Sequence, residues 1–367
     1  MAHRISIQEA IALAQAGDPE AQYALSSALH RAGKFDESLH WLRLAASRGV
    51  IPARLALAAM VMDGQRCTRD LQQARDLLQP LATTHIAANL LLAELHGFAA
   101  WQIGDRETGL RYLASAARMG DAGARRQLAL LAACHRRPDL VDSSDWPAIE
   151  HAIPQLAGDL PLPAAEVLHE SPLIRRFPAA VDPLVLTALI DLAAPLVQRS
   201  QIVDARTGES RADPMRTSSH VTLAPRQHDH VLEAIEQCIA RVSGLPARNG
   251  EFVQVLRYRV GEEFKPHVDY FNESGDAAYR SLADGGQRAQ TVLIYLNDRY
   301  TGGATAFPKL EIVVQGRPGD ILHFHNVDAG GIGHKDSLHA GTPVETGEKW
   351  LLSKWIRSEA YPPRVRW

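Results

Sequence analysis

The sequence predicts a multidomain α and β protein, an N-terminal α-helical repeat domain followed by a β-rich sandwich or barrel. Three observations carry this expectation. Residues 1–135 are rich in Ala and Leu and poor in β-branched residues, which favours helix. Similar segments recur within them at intervals of 32, 35 and 36 residues. Beyond residue 250 the pattern changes to short runs of β-branched and aromatic residues separated by glycine-rich turns.

Composition sets the outer bounds. At 367 residues the chain can bury two separate cores, and 46% hydrophobic with 22% charged residues describes an ordinary globular protein. A formal charge of -3 gives no general attraction to nucleic acid or to an anionic membrane, so a small-molecule or protein partner is favoured. The opening MAHRISIQEAIALAQAGDPEAQ is interrupted by Gln8, Glu9, Gln15 and Asp18 and lacks the apolar core of a secretory signal. No run of about 18 apolar residues offers a membrane span. Cys67, Cys134 and Cys238 are scattered and odd in number, against a disulfide framework or a thiolate metal cage. Together these readings predict a cytoplasmic protein that binds neither nucleic acid nor membrane.

The repeats come first along the chain. AGDPEAQYAL, RGVIPARLAL, THIAANLLL and MGDAGARRQL align on Ala21, Ala53, Ala88 and Ala124. A small residue there lets two helices approach closely, and the neighbouring leucines fill the seam. SLHWLRLAASRG and GLRYLASAARMG fit the second helix of a unit, each closed by a glycine, Gly49 and Gly120. The third unit lacks the glycine. The period and the AA-x-x-G ending resemble the short tetratricopeptide-like repeats over roughly 120 residues. Such an array either packs as a structural layer or presents a concave groove that recruits a protein or peptide.

Residues 136–164, HRRPDLVDSSDWPAIEHAIPQLAGDLPLP with its neighbours, are rich in proline and turn residues and predict a linker with a short helix. VDPLVLTALIDLAAPLV carries apolar residues on every face and predicts a buried helix. The polar stretch QIVDARTGESRADPMRTSSH that follows is long enough for a flap over a site. FVQVLRYRV, TVLIYLND, EIVVQG, GDILHFHNV and KWLLSKWIR then predict strands.

The chemistry centres on FKPHVDYFNES. His267-Val268-Asp269 places a histidine and an aspartate two residues apart, on one side of an extended segment. The pattern alone proves nothing, since the chain holds a second, His334-Lys335-Asp336. A ferrous site of the two-histidine, one-carboxylate type would need one more imidazole from downstream. His323, His325, His334 and His339 are the candidates. His323 and His325 flank Phe324 on an alternating strand and read equally as packed histidines, while His334 sits in a glycine-rich loop. His339 stands before a turn and a strand carrying Lys349, a cation suited to the far end of a dicarboxylate.

HVD at 267–269, His339 and Lys349 ten residues later resemble the prolyl 4-hydroxylase branch of the 2-oxoglutarate and Fe(II) dependent dioxygenases. The likeness extends to VLRYRVGEEFKPHVDYF, RAQTVLIYLNDRYTGGATAFP and GDILHFHNV, over roughly residues 170–360. It implies a double-stranded β-helix (jelly-roll) catalytic domain, here residues 165–367. It further implies His267, Asp269 and His339 as iron ligands, and Lys349 with Tyr258 as holders of the distal carboxylate of 2-oxoglutarate. The implied cofactors are Fe(II), 2-oxoglutarate as cosubstrate, O2 and ascorbate. The implied reaction is hydroxylation of a C–H bond, most simply in a prolyl residue of a protein or peptide, as by a procollagen-proline 4-dioxygenase. Tyr258 also reads as a packed strand aromatic, Arg357 as a surface charge, and Thr291 and Trp355 as core. Arg216 to Ser219, RTSS, has the look of the family's peptide-covering loop. Three alternatives stay open: a non-catalytic repeat scaffold with a relic metal-binding barrel, a hydroxylase of free amino acids or other small molecules, and a zinc or manganese barrel. The last has no use for Lys349.

Overall fold

The computed structural model describes residues 7–64, 66–98, 103–203, 210–212, 214–223, 227–271 and 282–361. The chain forms two compact units, one holding residues up to 128 with 144–158, the other 129–143 and the chain from 159 onward.

The first unit is built from α1 (Ile7–Ala16), α2 (Pro19–Arg31), α3 (Phe35–Ser47), α4 (Ile51–Asp63), α5 (Leu71–Leu78), α6 (Ile86–Gly97), α7 (Arg106–Arg118), the start of α8 (Ala122–Cys134) and α9 (Trp146–Leu156). Consecutive helices pair, α2 with α3, α4 with α5 and α6 with α7, as the repeat period predicts. Aspartates start them: the side chains of Asp18, Asp70 and Asp105 accept hydrogen bonds from the backbone N–H three residues on, satisfying an orphan donor of the first turn. The aligned alanines are the seam. Ala53, Ala88 and Ala124 are fully buried and Ala21 partly so, and Leu42, Leu57, Leu78 and Leu92 fill the space around them.

Glycine closes two of the units. Gly49 (φ 90°) and Gly120 (φ 108°) adopt the left-handed region, with Val50 N–H reaching Ala45 O and Asp121 N–H reaching Ala116 O, so the last turn keeps its carbonyls paired. Where the glycine is missing, α5 instead tightens into the 3-10 turn Gln79–Leu81. In the stretch expected as a linker, Asp145 caps α9, which packs on α7 and joins it through Arg118–Glu150 (3.0 Å).

The second unit contains β1 (Glu166–Glu170), β2 (Leu173–Phe177), α10 (Pro183–Ala193), β3 (Gln198–Arg199), β4 (Gln201–Val203), β5 (Ser210–Ala212), β6 (Ser219–Thr222), α11 (His230–Ser243), β7 (Gln254–Tyr258), β8 (Phe264–His267), β9 (Arg288–Tyr295), β10 (Tyr300–Gly302), β11 (Thr305–Phe307), β12 (Ile312–Val314), β13 (Ile321–His325), β14 (His339–Gly341), β15 (Val344–Gly347) and β16 (Lys349–Arg357). A major sheet runs β1-β2-β13-β9-β16-β7-β6-β3 and a minor sheet β12-β11-β14-β8, with β10–β15 and β4–β5 as separate pairs. Leu256, Leu293, Leu322, Phe324 and Leu351 of the major sheet and Phe307 and Val314 of the minor sheet meet in one core. This is the expected jelly-roll sandwich. Alternate residues such as Val255, Val292 and Ile294 are buried on the opposite face, where α10 and α11 lie against β7 and β9.

Two expectations change. The α10 helix is buried on one face only: Val185, Leu186, Leu189 and Ala193 are covered, while Leu184 is 50% exposed. A helix laid on a sheet has one covered stripe, however apolar its sequence. Strands also begin at Glu166 rather than near 250. Arg175 and Arg176 break the apolar alternation of β2, whose place is set by its pairing with β13. No helix among the described residues is long and apolar enough to cross a membrane.

The tightest helix crossing is at Gly109, where an added Cβ would sit 2.6 Å from Gly97 Cα and 2.8 Å from Ala93 O. Gly109→Ala is expected to destabilise the helical unit by about 1 to 3 kcal/mol through overpacking, read as an earlier urea transition in far-UV circular dichroism.

Candidate active site

Strand pairing assembles the site. Antiparallel β8 and β14 place His267 and His339 directly opposite each other, with ring centroids 4.4 Å apart. The Nδ1 of His267 lies 2.7 Å from Lys265 O and that of His339 3.0 Å from Ser337 O. A carbonyl can only accept, so each Nδ1 carries a proton, which in a neutral ring leaves the lone pair on Nε2. Phe264 stacks on the His267 ring at 3.5 Å between centroids, and Phe307 and Phe324 wall the His339 ring.

Asp269 lies just beyond the end of β8 and turns its carboxylate into the gap. Oδ1 is 3.5 Å from His267 Nε2 and Oδ2 is 3.5 Å from His339 Nε2. Ligand atoms of the three residues all fall within 4.8 Å of one another. Thr291 Oγ1 donates to Asp269 Oδ2 at 2.6 Å. Burial pushes the Asp269 carboxyl up, but His339, His267 and Thr291 outweigh it and hold the group well below the usual carboxylate range. Burial keeps His339 below its ordinary value, against the pull of Asp269. Two imidazoles presenting Nε2 and one carboxylate form a donor set that suits a divalent iron ion bound on one face.

Lys349 supplies the second half of the site. It stands opposite Tyr258 in the β16–β7 ladder, and it is only 2% exposed. Among the described residues its ammonium has one hydrogen-bond partner, Gly303 O at 2.7 Å, and no carboxylate. The rings of Tyr258 and Tyr295 lie 5.3 and 5.5 Å from Nζ. Desolvation alone lowers its pKa to about 7. Burial likewise raises the Tyr258 hydroxyl, with Arg216 and Ser218 opposing. A buried ammonium without an anion is costly, and a dicarboxylate seated in the cavity would complete it. Tyr258, Lys349 and all three residues of the triad line one cavity of about 450 Å³, mouth included, with Phe264, Leu351 and Trp355 among its walls.

Several side chains differ from their sequence reading. Thr291 is buried as expected but is polar in use, holding Asp269. Trp355 lines the cavity rather than the core. Arg357 is not a surface charge: it is 4% exposed and pairs with Glu251 at 2.6 Å. Glu251 also takes both Nε and Nη2 of Arg288, whose guanidinium lies 3.5 Å over the Trp355 ring. Arg216 of the RTSS stretch, which the sequence marked only as part of a loop, is buried on the cavity wall beside Gln254. His323 is a satisfied core histidine between Gln290 and Arg175, pulled by burial to about pKa 3. The second H-x-D stays outside the site, with Asp336 facing Lys309.

Residues 253–357, which hold the triad, Tyr258 and Lys349, match the 2OG-Fe(II) oxygenase superfamily. The chain is 39% identical over 187 residues to prolyl 4-hydroxylase 5 of Arabidopsis thaliana, covering 46% of this chain and 62% of that one. It is 36% identical over 209 residues to prolyl 4-hydroxylase 1 of the same plant, covering 53% of this chain and 72% of that one. The chain belongs to the 2OG-Fe(II) oxygenase superfamily. Its helical part is similar to a Sel1 repeat protein from Oxalobacter formigenes, at 23% identity and a TM-score of 0.29 over 33% of this chain and 95% of that one.

In this oxygenase the Glu251 carboxylate separates two guanidiniums beside the cavity wall. Glu251→Gln removes the carboxylate that both guanidiniums share and is expected to cost about 3 to 5 kcal/mol of stability, measured by urea unfolding. Trp355 fluorescence should also shift as Arg288 leaves the ring.

Proposed function

We propose that this oxygenase hydroxylates a prolyl residue of a protein or peptide, with His267, Asp269 and His339 holding Fe(II) and Lys349 with Tyr258 holding the distal carboxylate of 2-oxoglutarate. The observation that carries the cosubstrate reading is Lys349, an ammonium buried without an anion in the cavity that also contains the triad. Identity of 39% and 36% to plant prolyl 4-hydroxylases supports the prolyl target. The chain spans 62% of the first of these relatives, and the activity of the whole protein is part of the proposal.

When bound, Fe(II) with 2-oxoglutarate and O2 supplies the oxidation: one oxygen atom enters a C–H bond as hydroxyl, the other enters succinate, and CO2 leaves. The protein supplies placement. The two imidazoles, fixed by their Nδ1–H bonds to backbone carbonyls, offer Nε2 to the metal without needing to reorient. Lys349 and Tyr258, held in register by the β16–β7 ladder, fix the far carboxylate. Phe264, Leu293, Leu351 and Trp355 of the cavity wall would limit the water it holds. Ascorbate serves as an auxiliary reductant in this reading, the cytoplasm is the setting, and the helical repeats recruit the protein substrate.

The direct test supplies the protein with Fe(II), 2-oxoglutarate and air together with proline-rich peptides, then maps products by mass spectrometry. One added oxygen on a specific prolyl residue is the expected result. Succinate formed with free amino acids and none with peptides would replace the peptide reading. Lys349→Ala is expected to weaken 2-oxoglutarate binding by about 3 to 5 kcal/mol, read by calorimetry under anaerobic conditions. The same titration tests the charge. Lys349 loses its proton near pH 7 in the free protein and regains it against a carboxylate, so affinity should fall as pH rises above about 7, with proton uptake on binding.

A further inference from the structure

We propose that Thr291 and Asn326 form a directional hydrogen-bond relay that fixes Asp269 as a one-oxygen ligand; the inference rests on the metal-site reading above. Asn326 Nδ2 lies 2.9 Å from Thr291 Oγ1, and Oγ1 lies 2.6 Å from Asp269 Oδ2. All three side chains are buried, Asp269 to 5% exposure, Thr291 to 1% and Asn326 to 0%.

Proton counting sets the direction. An ionised carboxylate can only accept, so the single hydroxyl proton of Thr291 belongs to Asp269. The hydroxyl oxygen is then an acceptor toward Asn326, and the amide must turn its NH2 group to it. The turned amide leaves Asn326 Oδ1 buried with no hydrogen-bond partner among the described residues. An unpaired buried acceptor is a cost that an apolar side chain of similar size would avoid, so packing alone does not account for an asparagine at this position.

The relay is also anchored. Thr291 sits in β9 between β13 and β16, paired with Phe324 on one side and Trp355 on the other. Asn326 follows β13 directly, its N–H bonded to Ala289 O and its C=O taking the N–H of His334. The histidines come from the minor sheet, whereas Asp269 lies outside any strand and is tied to the major sheet by the Thr291 bond. With Oδ2 engaged by the hydroxyl proton, Oδ1 is the freer oxygen for a metal. A carboxylate held this way would offer a metal one oxygen rather than two. Thr291 and Asn326 are thus positioning residues.

The test uses Co(II) as a probe metal with the full chain, reading both the dissociation constant and the d–d absorption bands. The variants are Thr291→Val, Thr291→Ser, Asn326→Ala and Asn326→Asp. Thr291→Val keeps the volume but loses the proton, and it should weaken Co(II) about 10- to 100-fold and shift the bands. Thr291→Ser keeps the hydroxyl and should stay close to the unaltered protein. Asn326→Asp, nearly the same size, draws the Thr291 proton away from Asp269 and should bind Co(II) worse than Asn326→Ala. A packing role gives the reverse order in both pairs, because serine and alanine leave cavities. Thermal melts of the metal-free variants separate loss of fold from loss of ligation. The reverse order, or Co(II) affinity and bands unchanged in Thr291→Val, overturns the relay. Absence of Co(II) binding by the unaltered protein, matched to His339→Ala, overturns the metal site itself.

Discussion

Two cross-strand pairs, one in each sheet, hold the functional geometry of this protein. In the minor sheet β14 meets β8 so that His339 faces His267, and in the major sheet β16 meets β7 so that Lys349 faces Tyr258. Strand side chains alternate between faces, so a slip of one residue in either ladder would turn its member of the site out of the cavity. The remaining architecture fixes these two registers. The shared core of Phe307, Phe324, Leu322 and Leu351 joins the sheets, α10 and α11 cover the outer face of the major one, and Asp269 is bound across the sandwich to β9.

The site is also where the protein accepts unfavourable local terms. Among the described residues Lys349 gives up hydration with only Gly303 O in return, and the side-chain Oδ1 of Asn326 is unpaired. Neither helps the empty protein fold. Elsewhere buried charge is matched, as in Lys354 with Glu236 and Arg357 with Glu251. That contrast marks Lys349 as a group kept for a ligand rather than for the fold.

Much of this was legible in the sequence because it rested on periodicity and spacing. The aligned alanines and closing glycines marked the paired helices, and β-branched runs marked β7, β9, β13 and β16. His267, Asp269, His339 and Lys349 were read from residue type and order and Tyr258 from the family resemblance, and the structure brings all five to one cavity. What escaped depends on contacts between distant segments. Nothing in KWIR announces that Arg357 will meet Glu251, and a threonine in an apolar strand reads as core until Asp269 arrives beside it. The strands β1 and β2, charged and irregular in pattern, owe their place to β13. Arg216 escaped for the same reason: its burial follows from Gln254 and Phe264, supplied by other strands.

The ladder that holds Lys349 opposite Tyr258 has a further consequence on the proposed reading. Two of the three proposed ligands stand on β8 and β14 and the ammonium on β16, while Asp269 is tied to β9 through Thr291, so strand geometry sets much of the span between the two ends of the cosubstrate seat. The barrel would then set the span that a 2-oxo diacid has to bridge, so that the fold itself and not only its polar groups bears on which diacid fits.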